Sequence, residues 1–148
     1  MAFTYTRKIN YYETDMMGVV HHSNYIRYLE EARCAWIESM GIPMREIEKR
    51  GYTIPVLEVD VKYKKHVTEG DILAIGIIVT EFTGVRMTIS YDVKDVNTGD
   101  TIIEATTKHC FTNKELRPIS IKKYDEEIYT KFEAVMLENK GEWLWKNY

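Results

Sequence analysis

The chain has 148 residues, a formal net charge of −3, 29% charged residues and 45% hydrophobic residues. This length predicts one domain over residues 1–148, and the composition is typical of a globular protein rather than a disordered one. The mildly acidic balance argues against a nucleic-acid partner, and no apolar run is long enough to span a membrane. Two cysteines cannot form a disulfide framework. Because the N-terminus does not resemble a signal peptide, we expect a cytoplasmic protein.

The N-terminal half predicts one strand and one long helix. Apolar residues alternate along 3–11, which indicates a strand whose apolar face is interrupted only by Arg7. Apolar residues then recur every three or four positions over 24–40, which predicts a helix. Ser23 or Asn24 is expected as its N-cap, because their side-chain oxygens accept from backbone N–H groups. A short helical turn is expected over 44–50.

The C-terminal half predicts four strands and a terminal helix. Apolar residues alternate from 54 to 63, over 85–93 and over 103–111, whereas 72–80 is a continuous apolar run expected to be buried on both faces. Turn residues at 68–71 and 97–99 predict tight, antiparallel connections. A helix over 124–139 is expected to cover an edge or a flank. The fold class is therefore α+β, with an antiparallel meander curled around the long helix.

Titratable side chains are concentrated in the irregular segment that precedes the long helix. Glu13, Asp15, His21 and His22 surround an apolar Met-Met-Gly-Val-Val centre. The N-terminus of a helix presents unpaired N–H groups that can polarise a carbonyl oxygen, and a nearby carboxylate can act as general base or nucleophile. This arrangement is typical of acyl transfer.

The run Tyr12-Glu-Thr-Asp-Met-Met-Gly-Val-Val-His-His-Ser-Asn-Tyr25, followed by Glu31 and Arg33, resembles the signature of hot-dog-fold acyl-CoA thioesterases. The 4-hydroxybenzoyl-CoA thioesterase family, in its bacterial branch acting on general acyl-CoAs, is the closest match. The resemblance implies a hot-dog fold and hydrolysis of acyl-CoA to a carboxylic acid and free coenzyme A. It also implies no metal and no bound cofactor, because coenzyme A arrives with the substrate. A homodimer or homotetramer with active sites at the subunit interface is expected.

The resemblance assigns Asp15 as the catalytic general base or nucleophile, with the backbone around His22–Asn24 polarising the thioester carbonyl. His22 is a second catalytic candidate. The candidate substrate-binding residues are Gly18, Val20, Ser23, Asn24, Tyr25, Thr68 and Arg86. Coenzyme A carries phosphates, which favour Lys and Arg, and the candidates for them are Arg86, Lys108, Lys114 and Arg117. Met16 and Met17 replace the family's small residues and could shape the acyl site.

Several alternative interpretations remain open from the residues alone. The chain could be an acyl-carrier-protein thioesterase, a non-catalytic acyl-CoA-binding module or, less in keeping with its motif, a hot-dog dehydratase. Asp15 could merely cap a turn, and His22 could merely hydrogen-bond the backbone at the helix start. Asp15, His21 and His22 could in principle bind zinc, and Cys34 or Cys110 could act as a nucleophile, although neither cysteine lies in a triad-like context.

Overall fold

A computed structural model describes residues 3–146 of the chain, and describes side chains as far as Asn139. In chain order the elements are β1 (Phe3–Lys8), a 3-10 turn (Tyr11–Glu13), α1 (His22–Ser39), α2 (Met44–Lys49), β2 (Val56–Tyr63), β3 (Ile72–Phe82), β4 (Arg86–Asp95), β5 (Thr101–Cys110), α3 (Ile121–Tyr124) and α4 (Glu126–Lys146). This order confirms the predicted succession of one strand, a long helix, four strands and a terminal helical region.

The five described strands form one sheet in the order β1-β3-β4-β5-β2, and every neighbouring pair is antiparallel. The predicted meander holds for β3, β4 and β5. It is wrong for β2, which pairs with β5 and so lies at an edge. Three interstrand spacings of about 4.8 Å separate β2 from β3, a distance that residues 64–71 can span. The antiparallel pairing confirms the α+β class and the hot-dog architecture.

The core lies between α1 and one face of the sheet. Tyr28 and Leu29 of α1 are fully buried, as are alternate residues of the central strands. The expectation that 72–80 is buried on both faces is confirmed only over 77–79. Elsewhere the outer face of β3 presents partly exposed small residues, Ala74 and Gly76. A continuous apolar run therefore overstated the burial of this strand.

Two local predictions near the polar segment are wrong. Tyr11 was expected on the first strand, but it lies in the 3-10 turn and is 80% exposed. The N-cap of α1 is His21 rather than Ser23 or Asn24, because the His21 ring nitrogen Nδ1 accepts the Ser23 N–H at 3.2 Å. The helix consequently starts two residues earlier than predicted, and the polar segment preceding it is shorter.

The terminal helix covers part of a sheet edge, as predicted. Asn139 Oδ1 of α4 accepts the Val79 N–H of β3 at 3.0 Å, just beyond the last described residue pair of β1 and β3. Phe132 of α4 packs its ring 5.3 Å from that of Phe111 and 5.7 Å from that of Trp36. The helix predicted over 124–139 is interrupted at Asp125, which separates α3 from α4. Within residues 3–146, no helix is long and apolar enough to cross a membrane.

Candidate active site

Residues 14–20 form a small hairpin that carries the predicted catalytic aspartate. Thr14 and Val20 form an antiparallel bridge, and the Asp15 N–H donates to the Val19 carbonyl at 2.7 Å. The Gly18 N–H closes the tip by donating to the Asp15 carbonyl at 3.0 Å. Gly18 adopts a φ of +80°, which side chains other than glycine rarely tolerate. The hairpin therefore requires glycine at this position.

The half-buried Asp15 carboxylate is fixed at one oxygen and open at the other. Oδ1 accepts the Met17 N–H at 2.7 Å, the local contact expected of a turn aspartate. Oδ2 accepts no hydrogen bond from the described part of the chain. The turn-capping and catalytic interpretations of Asp15 are thus compatible, because capping orients the side chain without occupying both oxygens. Met16 and Met17 flank the carboxylate and are 105% and 81% exposed.

The hairpin is fastened directly to the start of α1. The Glu13 carbonyl accepts both the His21 N–H at 3.0 Å and the Asn24 Nδ2–H at 2.8 Å. Val20, which is buried, donates its N–H to the Val67 carbonyl at 2.9 Å. The Asn24 side chain, predicted to bind substrate, supports the loop through its bond to the Glu13 carbonyl. These bonds hold the Asp15 segment beside the helix N-terminus.

One backbone donor at this helix end stays open. The Ser23 N–H donates to His21 Nδ1, and the Asn24 N–H donates to the His21 carbonyl at 2.9 Å. The His22 N–H donates to no backbone carbonyl in the described chain. Of the three predicted carbonyl-polarising groups, His22 N–H is therefore the one that has no acceptor in the described chain, at the positive end of the helix dipole.

Aromatic rings form the wall next to this donor. The exposed His22 ring stacks on His21 with centroids 4.3 Å apart and meets Tyr63 of β2 edge-on at 6.5 Å. The buried Tyr25 ring also contacts Tyr63, at 5.7 Å, and the Tyr63 hydroxyl donates to the His22 carbonyl at 3.3 Å. Burial raises the pKa of Tyr25, so its hydroxyl stays protonated. The predicted site residues His22 and Tyr25 thus lie against the end of the edge strand β2.

Thr68 is brought to the hairpin from a distant part of the sequence. Its hydroxyl donates to the Gly18 carbonyl at 2.6 Å, and its N–H donates to Asp71 within the predicted 68–71 turn. Ser23, at the first turn of α1, places its hydroxyl 2.8 Å from His21 Nδ1 and is exposed. Both residues therefore belong to the same local cluster as Asp15.

The basic residues predicted to bind phosphate lie elsewhere. Arg86 starts β4, whose ten residues span about 30 Å and whose other end lies near the 68–71 turn. Lys114 and Arg117 follow β5 at the same end of the sheet as Arg86, and Lys108 pairs with Glu58 at 3.6 Å. Within one chain, the structure does not bring Arg86 or the other three to Asp15.

Arg7 and Glu13 form an ion pair beside the hairpin that the sequence did not predict, although Glu13 was counted among the titratable residues of this segment. Arg7 Nη1 lies 2.8 Å from both carboxylate oxygens of Glu13, which is buried. The signal available in the sequence was Arg7 itself, since a charged residue on the inward face of a strand requires a buried counter-charge. Its partner lies six residues away across a turn, so spacing alone could not identify it.

The other chemical interpretations find little geometric support. Among the residues that the structure describes, no group of three or more His, Cys, Asp and Glu side chains could hold a metal ion, so Asp15, His21 and His22 do not form such a group. Desolvation raises the pKa of both Cys34 and Cys110, which disfavours the thiolate that a nucleophile needs. A groove of about 600 Å³ lined by residues of β2, β3, β4 and β5 contains none of the predicted site residues.

Residues 9–135 match the thioesterase-like superfamily. A protein of Aquifex aeolicus, provisionally named an esterase, is 36% identical over 86% of this chain and 98% of its own length. A Bacillus subtilis protein, provisionally named an acyl-CoA thioesterase, is 30% identical over 85% of this chain and 91% of its own. Among solved structures, a DHNA-CoA thioesterase from Staphylococcus aureus superimposes with a TM-score of 0.88 and 25% identity, covering 95% of both chains.

Proposed function

The chain belongs to the thioesterase-like superfamily and is a thioester hydrolase, and from this premise we propose that it hydrolyses acyl-CoA to a carboxylic acid and free coenzyme A. The observation that supports this most is the juxtaposition at the hairpin. The Asp15 carboxylate, with one free oxygen, and the open His22 N–H are held together by the two hydrogen bonds to the Glu13 carbonyl. A carboxylate beside a carbonyl-polarising donor is the minimum that thioester hydrolysis needs.

In the proposed reaction the thioester carbonyl oxygen accepts the His22 N–H. The negative charge that develops on this oxygen is favoured at the helix N-terminus. Asp15 either takes a proton from the attacking water or attacks the carbonyl carbon itself. When water attacks, the tetrahedral species collapses with cleavage of the carbon–sulfur bond, coenzyme A leaves as a thiolate that takes up the proton held by Asp15, and the oxygen of water ends in the carboxylic acid. When Asp15 attacks, the same cleavage releases the thiolate and leaves an anhydride between the acyl group and Asp15, which water then hydrolyses to the carboxylic acid and the free Asp15 carboxylate. The exposed His22 ring and Thr68 would line the entrance, where the thioester arrives.

We further propose that β2 pairs with β2 of a second copy. It is an edge strand, and its side chains are exposed even where they are apolar: Val56 is 43%, Leu57 59%, Val59 39% and Tyr63 49% exposed. Apolar residues along an unpaired edge favour strand addition. Because Tyr63 already contacts His22, such a pairing would put the site at the subunit interface.

The same pairing offers a role for the distant basic residues. In a two-fold antiparallel ladder the Val56 end of one β2 lies beside the Tyr63 end of the other. The Val56 end adjoins the part of the sheet where Arg86, Lys114 and Arg117 lie. Arg86 of the partner subunit would therefore approach the Asp15 hairpin, where it could bind a coenzyme A phosphate. This proposal retains the predicted substrate-binding role of Arg86 and assigns it across the interface.

Replacement of Asp15 by asparagine tests the reaction. The asparagine side chain would keep an oxygen for the Met17 N–H, so we expect an intact fold and a loss of hydrolysis of about 100-fold or more, in the range typical of a lost general base. Asp95→Asn is the matched control, since Asp95 Oδ1 accepts the Asn97 N–H at 2.8 Å in the same local geometry. Thiol release from acyl-CoAs of varied length is the measurement. Wild-type rates in Asp15→Asn would refute the role of Asp15.

The same assay separates coenzyme A from acyl carrier protein as the acyl donor. Equal acyl chains would be offered on each carrier, and we expect hydrolysis of the coenzyme A thioester with a higher kcat/KM. A clear preference for the carrier-protein thioester would overturn the choice of substrate while leaving thioester hydrolysis intact.

A further inference from the structure

We propose that Arg7 is a positioning residue for the Asp15 carboxylate, and that the Arg7–Glu13 ion pair sets the geometry of the catalytic hairpin. This inference rests on the proposed acyl-CoA hydrolysis. Arg7 lies on β1, outside the motif segment 12–25, and its side chain joins the strand, the loop and the helix that together form the site.

The ion pair between Arg7 and Glu13 is short and shielded from water. Arg7 Nη1 lies 2.8 Å from Glu13 Oε1 and 2.8 Å from Oε2, and Oε1 also accepts the Asn10 N–H at 2.9 Å. The two side chains are only 12% and 9% exposed. Water and salt screen an ion pair of this kind much less than one at the surface. The Glu13 side chain is therefore fixed to β1.

The backbone of the same residue is fixed to α1. The Glu13 carbonyl accepts the His21 N–H and the Asn24 side chain, the two bonds that fasten the hairpin to the helix start. Glu13 is thus held by its side chain on one side and by its carbonyl on the other. Asp15 follows two residues later, and the open His22 N–H follows directly after His21. A shift of Glu13 would change the distance between these two groups.

Arg7 is itself fastened to the body of α1. Its Nε lies 3.0 Å from Glu31 Oε1, which also accepts the Tyr5 hydroxyl at 3.1 Å. The guanidinium group lies 4.0 Å from the centroid of the Tyr28 ring. A planar guanidinium can stack on a ring and pair with carboxylates in two directions, which the lysine ammonium group cannot do. These contacts explain why an arginine occupies this inward-facing strand position.

The expected consequence is a selective loss of turnover. Arg7 touches neither the proposed thioester position nor the exposed entrance, so it has little direct effect on substrate binding. A displacement of a reacting group by about 1 Å can cost about 100-fold in rate. Weakening the Arg7–Glu13 pair should accordingly lower kcat while KM stays nearly constant.

The experiment compares Arg7→Met and Arg7→Lys with a matched control, Arg50→Met. Arg50 likewise pairs with more than one carboxylate, those of Glu46 on α2, of Asp125, and of Glu127 on α4, but none of these lies in the proposed site. We expect Arg7→Met to lower kcat by about 10- to 100-fold with KM changed by less than about twofold. Arg7→Lys should restore part of the rate, and Arg50→Met should match the wild type. Rates are expressed per folded enzyme, measured by circular dichroism.

A second variant, Glu13→Gln, keeps the test decisive if Arg7→Met fails to fold. In the double variant Arg7→Lys/Glu13→Gln, the fold-loss of kcat should be much smaller than the product of the two single fold-losses, because both changes weaken the same ion pair. Wild-type kcat in folded Arg7→Met, losses that follow the unfolded fraction, or fully multiplicative losses in the double variant would each overturn the inference. If the wild-type enzyme does not hydrolyse acyl-CoA, the proposed function is overturned as well. If Asp15→Asn loses activity but the Arg7 variants do not, only the role of Arg7 is overturned.

Discussion

His109 ends a chain of polar groups buried between α1 and the sheet. Its Nε2 lies 2.7 Å from the Thr107 hydroxyl, which lies 2.7 Å from the Tyr91 hydroxyl, and Arg33 donates to Tyr91 at 3.2 Å. Burial, followed by the positive charge of Arg33, lowers the pKa of His109 to about 4. The imidazole is therefore neutral at pH 7 in the folded protein.

Because the pKa of His109 is lowered in the folded protein, the free energy of unfolding depends on pH. A histidine in the unfolded chain has a pKa near ~6.5, so between pH 6.5 and 4 the unfolded state binds a proton that the folded state does not. The free energy of unfolding must then fall as the pH falls through this window, by up to about 3 kcal/mol from His109 alone. Urea unfolding at pH 7, 6, 5 and 4.5 measures this slope.

Two histidine variants test whether His109 causes the change of the free energy of unfolding with pH. His109→Gln removes the titrating group, so we expect a lower stability at pH 7 but a shallower decline towards acid. His66→Gln is the control, because His66 is exposed. If both variants keep the wild-type slope, the acid sensitivity has another origin.

Some residues of the candidate site could be predicted from the sequence, and others could not. Asp15, Gly18 and Thr68 were predicted as site residues from a local motif and a turn, and the structure places them together. His21 was missed as the N-cap because a histidine ring nitrogen accepts a backbone N–H as a serine oxygen does, while propensity favours serine. Arg7 could be read only as an interruption of a strand, since its partners Glu13 and Glu31 are assembled by the fold.

At the scale of elements, α4 stabilises the sheet through one buried polar contact. The Asn139 side chain is 2% exposed and accepts the Val79 N–H. In Asn139→Ala this buried donor loses its partner, which we expect to cost about 1–3 kcal/mol of stability. The Val79 amide should also exchange its hydrogen faster. Leu137→Ala, a change at an exposed position of the same helix, is the control for helix propensity.

An unchanged exchange rate at Val79 in Asn139→Ala would mean that the strand edge is protected by other parts of α4. Equal destabilisation in Leu137→Ala would mean that the helix as a whole, and not this contact, is responsible.

The periodicity of apolar residues predicted where the helices and strands lie better than it predicted which strands pair with each other. The strict alternation of β4 and the three-and-four spacing of α1 depend on residues close in sequence, and both elements form where predicted. The alternation in β2 correctly predicts a strand but cannot say which strand it joins. Its place beside β5 is decided by contacts between residues about 40 or more positions apart, such as Tyr63 with Ile103. The periodicity of neighbouring residues does not predict contacts between residues so far apart in sequence.

For the whole molecule, the proposed dimer predicts complementation between two defective variants. Asp15→Asn lacks the proposed catalytic carboxylate, and Arg86→Ala lacks the proposed phosphate ligand. If Arg86 serves the site of the partner subunit, each mixed dimer contains one intact site. Random assembly should then restore about a quarter of the wild-type sites. The measurement is acyl-CoA hydrolysis at subsaturating substrate before and after the two variants are unfolded and refolded together.

Activity that remains at the mean of the two separate variants would show that both residues act within one chain or that Arg86 does not bind substrate. Wild-type enzyme carried through the same unfolding and refolding provides the control for losses in the procedure.

An open strand edge can also act as a template on which sheet after sheet is added, the route by which proteins grow into fibres. In this chain the Val79 N–H on the far side of the sheet is already taken by Asn139. A two-fold pairing of β2 occupies the β2 edge of both copies at once, so this edge offers no template for a third copy. The surface that would complete the site would then also protect the protein from polymerisation, and a change that weakens this pairing should increase fibre formation as well as lower activity.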